Sequence, residues 1–84
     1  MTYDILFSDK SLKQLKKFEK EVQDRIIKAL ERIRIRPELH VTKLIGDPGY
    51  RLRVGDYRVI LDIDKGKLLI LVLKIGHRKG IYKF

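Results

Sequence analysis

The spacing of apolar residues changes period twice along the chain. Tyr3, Ile5 and Phe7 fall on alternate positions and predict a strand over Thr2–Phe7. Leu12, Leu15, Phe18, Val22, Ile26, Ala29, Leu30 and Ile33 then follow helical spacing, with Ser8 placed to cap the start and Ser11 at the third helical position. No glycine or proline interrupts that pattern from about Asp9 to about Arg34. A single helix of that span would be roughly 39 Å long, against a radius of gyration of about 12 Å for a compact chain of this size. Two antiparallel helices, bending near Glu19-Lys20-Glu21, fit better. Ile35-Arg36-Pro37 ends the second, because a residue before proline avoids the helical region. Glu38–Thr42 reads as connection and Asp47-Pro48-Gly49 as a turn.

The period then returns to two. Strands are predicted over Tyr50–Val54, Tyr57–Asp64 and Lys67–Ile75, with Gly55-Asp56 and Lys65-Gly66 closing the hairpins. Leu68–Leu73 is apolar on both faces, which predicts a central strand covered on both sides. The order is a strand, a helical hairpin and an antiparallel three-strand meander. It predicts an α+β fold, one mainly antiparallel sheet with two helices packed on one face, in a single domain over residues 1–84.

The first hairpin carries the strongest chemical signal. If Val54 faces Tyr57 across Gly55-Asp56, then Arg53 faces Arg58, and Arg51 lies on the same side. Like charges opposed across strands are destabilising. Three guanidinium groups on one face, with no carboxylate obliged to pair them, point to a polyphosphate ligand. Net charge agrees. The chain has 20 Lys+Arg against 11 Asp+Glu, a net +9. Residues 1–42 contribute 10 basic and 7 acidic side chains (+3), and residues 43–84 contribute 10 and 4 (+6). The second half therefore has the positive field that suits nucleic acid. With no cysteine there is no thiolate metal site or cysteine nucleophile. Asp4, Asp9 and Lys10 break any apolar leader, and Lys67–Ile75 is too short to span a bilayer. The expectation is a cytoplasmic protein with no membrane partner and no cofactor.

Lys43-Leu-Ile-Gly46, Tyr50-Arg-Leu-Arg-Val54, Gly55-Asp-Tyr-Arg-Val59 and Gly76-His-Arg-Lys79 followed by Tyr82 resemble the RelE/ParE superfamily of toxin–antitoxin toxins, in its RelE branch. The resemblance spans nearly the whole chain. It implies a ribosome-dependent endoribonuclease that cuts messenger RNA in the decoding site, held in check by an acidic RelB-like antitoxin. By motif position it puts the functional residues at Arg51, Arg53, Arg58, Arg78 and Tyr82. Some members carry lysine at the positions of Arg51 and Arg53, where it can act as a base. Arginine stays protonated and cannot.

Metal-free RNA cleavage needs the backbone aligned, the phosphoryl charge stabilised and two protons moved. Arg58 and Arg78 are candidates for transition-state charge, and Arg51 and Arg53 for backbone placement. Arg53, opposite Arg58, is also counted with the catalytic set. Tyr82 can stack on a base or protonate the leaving 5′-oxygen. Lys43, Lys13 and Lys16 are candidate RNA contacts. The bland readings are a wet strand face for the arginines, a solvated helix face for the lysines and a tail aromatic for Tyr82. His77 is of the residue type most used as a general base, but also reads as a solvated residue at a strand end. His40 lies in a connection with no visible partner. Asp62 and Asp64 read as strand-end charges, and no metal site is expected. Two rivals share the fold: a ParE-type toxin that poisons DNA gyrase, and a catalytically weak member that binds only antitoxin or RNA.

Overall fold

The computed structural model describes residues 2–80. Strand β1 (Asp4–Phe7) runs into Ser8, whose side chain accepts the Ser11 amide and caps helix α1 (Asp9–Lys16). Helix α2 (Lys20–Arg32) follows after a break at 17–19. The longest dimension of the molecule is 32 Å, less than an unbroken helix would need. The break falls slightly earlier than the acidic-basic stretch predicted. It turns Phe18 inward, edge-on to the Tyr57 ring with centroids 5.1 Å apart. Gln23 Nε2 donates to the Phe18 carbonyl at 2.8 Å and holds the corner.

Four more strands follow: β2 (Thr42–Lys43), β3 (Tyr50–Val54), β4 (Tyr57–Asp64) and β5 (Leu69–His77). They form one sheet in the order β1-β5-β4-β3-β2. The first pair is parallel and the rest antiparallel. Helix α1 lies over β5 and β1, and α2 lies over β3. Between helices and sheet, Ile26, Leu30, Ile33, Val59, Leu61, Ile70, Val72 and Ile75 are almost completely buried. Removing that apolar surface from water is the main stabilising term.

Several expectations need correction. Residues 38–42 are not plain connection. A 3-10 turn at Pro37–Leu39, with Pro37 buried, leads into β2, which adds a fifth strand at the β3 edge. Two residues are too few to show a period. The second hairpin closes through four residues, 65–68, with Leu68 in the left-handed region at φ +51° and Asp64 Oδ1 accepting the Lys67 amide. Strand β5 therefore starts and ends two residues later than predicted. It does sit inside the sheet, but it is layered on one face only. Leu69, Leu71 and Leu73 remain partly exposed.

The β4–β5 register explains how β5 serves the core. Ile60 pairs with Lys74 and Leu61 with Val72, so Leu73 is skipped as a bulge. The skip turns Ile75 to the same side as Ile70 and Val72, and sends Lys74 to the other. Strand β1 ends opposite Val72, so the edge of β5 beyond it lacks a strand partner. Helix α1 supplies the missing bonds. Ser8 Oγ donates to the Leu73 carbonyl at 3.1 Å and Ser11 Oγ to the Val72 carbonyl at 2.9 Å. Gln14 Oε1 accepts the Ile75 amide at 2.7 Å.

Candidate nucleic-acid interface

The turn at Gly55-Asp56 sets the register of the site. Gly55 adopts φ +57°, the left-handed region required at the first central position of this two-residue turn. Val54 then pairs with Tyr57, Arg53 with Arg58 and Arg51 with Ile60. Tyr50, Leu52, Val54, Val59 and Leu61 face the helices and pack in or against the core. Arg51, Arg53 and Arg58 project from the opposite, uncovered face.

There the arginines line a shallow cleft of about 230 Å³, together with His40 and Thr42. Arg58 is the most buried, at 9% exposure. Its Nη1 donates to the carbonyls of Gly55 and Tyr57, both at 2.9 Å. Those bonds hold one cation against the turn despite the like charge of Arg53 opposite. A charge this buried needs such partners. Arg53 is exposed. The cleft thus presents guanidinium donors in fixed positions, suited to bidentate contact with phosphate oxygens.

The other predicted residues are dispersed. Arg78 stands beside the β3–β4 turn. Its amide donates to the Asp56 carbonyl at 2.8 Å, and its Nε lies 4.0 Å from Asp56 Oδ1. It does not line the cleft. Lys43 lies on the helix-covered side, with its ammonium 5.2 Å from the Tyr50 ring centroid, in cation–π range. Lys13 and Lys16 are exposed on α1, across the sheet from the arginines. Tyr82 lies outside the described residues. His77 pairs with Tyr57, stacks edge-on at 5.7 Å from its ring, and accepts the Lys79 amide on Nδ1. It therefore belongs to the helix-covered side. The carboxylates of Asp62 and Asp64 accept backbone amides of Ile63 and Lys67. Among the described residues no three His, Cys, Asp or Glu side chains cluster as metal ligands, and no helix is long and apolar enough to cross a membrane.

Sequence reasoning missed two members of the cleft, His40 and Thr42. The available signal was Val41, which packs against the core. A residue anchored inward sends both its neighbours outward in extended chain.

Comparison with known proteins shows the family. The family model described as "ParE toxin of type II toxin-antitoxin system, parDE" matches residues 5–82. This chain belongs to that toxin family. It is similar to the mRNA interferase toxin RelE of Escherichia coli, 27% identical over 82 residues that cover 94% of this chain and 86% of that protein. It is also similar to the intact RelBE toxin–antitoxin complex of Escherichia coli, at TM-score 0.75 and 28% identity over 89% of this chain and 95% of that one. The RelBE2 toxin–antitoxin complex of Mycobacterium tuberculosis shares the fold at TM-score 0.85 and 20% identity, over 93% and 100% of the two chains. These likenesses place the toxin in the RelE branch of the RelE/ParE superfamily.

Proposed function

We propose that this toxin is a ribosome-dependent endoribonuclease that inhibits translation by cutting messenger RNA in the decoding site. The observation that carries the reading is the convergence of Arg51, Arg53 and Arg58 on one cleft of the uncovered face, in a chain similar to an mRNA interferase. The chemistry is in-line attack by the RNA's own 2′-oxygen. The bond from that oxygen to phosphorus forms, the bond to the 5′-oxygen breaks, and a 2′,3′-cyclic phosphate and a 5′-hydroxyl result. Arg53 and Arg58 stabilise the added charge on the phosphoryl oxygens. Arg51 holds the adjoining backbone. Arg78 extends the positive surface past the turn, and Tyr82 stacks on a base or protonates the leaving oxygen. No metal takes part. The toxin acts in the cytoplasm, and an acidic antitoxin neutralises it by competing for the arginine face. Solved relatives bound to RelB support that partner.

Primer extension on a translated message tests the reading. Added toxin should produce cuts at codons held in the ribosome and leave the same RNA intact when it is free. The family description names ParE, and the rival reading is a ParE-type toxin that poisons gyrase. Inhibition of gyrase supercoiling with no cleavage of ribosome-bound message would establish that rival instead.

A further inference from the structure

The arginine cleft explains charge stabilisation but leaves the proton of the attacking 2′-hydroxyl without an acceptor, because guanidinium stays protonated at any useful pH. We propose that His40 is that acceptor, the general base of this toxin; the inference rests on the ribonuclease reading above. Three observations carry it. His40 lines the same cleft as Arg51, Arg53 and Arg58. Its backbone is fixed there: its amide donates to the Pro37 carbonyl at 3.0 Å at the end of the 3-10 turn, and Pro37 is buried. On the other side Val41 is anchored against the core, and Thr42 pairs with Arg51. The backbone on either side of His40 is therefore anchored, by buried Pro37 and partly buried Val41, and its exposed imidazole lines the cleft beside the arginines.

The alternatives fall away by position. Arg51 and Arg53 from β3 and Arg58 from β4 are the charged groups that face His40 across the cleft, and no carboxylate lines it. His77 is on the other side of the sheet, against Tyr57. Among the described residues, His40 is thus the one imidazole lining the cleft, the side-chain type most used for general-base work. The neutral imidazole takes the 2′-hydroxyl proton as the 2′-oxygen bonds to phosphorus. The departing 5′-oxygen takes its proton from Tyr82 or from water, and the imidazolium returns its own to solvent.

Single-turnover cleavage at saturating ribosome–message complex tests this, with wild type, His40→Gln and His40→Ala compared across the neutral pH range. The expected result is a loss of about 10²-fold or more in rate for both variants, in the range of a positioned base. The wild-type rise in rate with pH should disappear in both, and added imidazole should restore part of the rate to His40→Ala. Binding of the toxin to the ribosome complex and its melting temperature should stay close to wild type. A His40→Gln variant that cuts within twofold of wild type, with the same pH profile, overturns the assignment of His40 alone. A wild-type protein that leaves ribosome-bound message intact overturns the ribonuclease reading and this inference with it.

Discussion

The two faces of the sheet are built from the same strands yet obey different rules. On the covered face, Val59, Leu61, Ile70, Val72 and Ile75 are excluded from water by α1 and α2. Every contact there serves stability, and polar groups are admitted only where they finish a backbone bond, as Ser11 does for Val72. On the uncovered face, Arg53 and Arg58 stand opposite each other, an arrangement that costs stability. Arg58 offsets part of that cost through two turn carbonyls. The contrast separates residues that make the fold from residues the fold tolerates, and the tolerated ones line the cleft.

The comparison breaks most readily at Arg53. Its side chain is exposed, and no hydrogen bond or ion pair engages its guanidinium among the described residues. Arg53→Ala should lower single-turnover cleavage of ribosome-bound message by of order 10²-fold, about 3 kcal/mol in barrier, while stability changes by less than about 0.5 kcal/mol. A retained rate would show that the uncovered face is only a wet surface. Leu61→Ala probes the other face of the strand that carries Arg58. It should destabilise by about 3 kcal/mol, the usual cost of such a cavity, read from urea unfolding. Loss of rate without loss of stability would merge the two faces into one functional unit.

Gly49→Ala should cost about 1–3 kcal/mol. Gly49 holds φ +112°, and an added Cβ would lie 3.2 Å from the Leu61 carbonyl oxygen. An unchanged melting curve would mean that the loop before β3 relaxes freely. Ser11→Ala removes one buried hydrogen bond, worth about 1 kcal/mol. The Val72 carbonyl keeps the Ser8 amide at 2.9 Å, so the loss should stay near that figure in thermal unfolding. The smallest effect belongs to Lys13→Ala. It should slightly weaken ribosome binding and its salt dependence, and leave the saturated rate and the stability alone.

Much of this division was legible before any coordinates. Alternation in Tyr50–Val54 and Tyr57–Asp64, with a glycine-led turn between them, was enough to place Arg51, Arg53 and Arg58 together. The turn fixes the register, and register fixes the face. The helical stripe from Leu12 to Ile33 was equally plain. Its break was inferred from size rather than from any breaker residue, and so was placed a little late. Strand β2, the four-residue turn at 65–68 and the bulge at Leu73 were not legible. Strand β2 depends on Arg51 and Tyr50 as partners and the bulge on side chains of Ser8, Ser11 and Gln14, while the turn at 65–68 needs Leu68 in a backbone region that a leucine does not advertise.

The sequence by itself determined what short-range geometry can determine: one amphipathic helical stripe, one basic hairpin with its register, and a positive second half. Tertiary structure decided which of the remaining groups join that hairpin. Lys43, paired with Tyr50 across β2 and β3, turned to the covered side over that ring. Arg78 stopped beside the turn at Asp56. His40, from an unremarkable connection, entered the arginine cleft. The physical reason is that the chain around it is anchored by burial of Pro37 and packing of Val41 against the core, and burial of that kind exists only once helices and sheet have closed on each other.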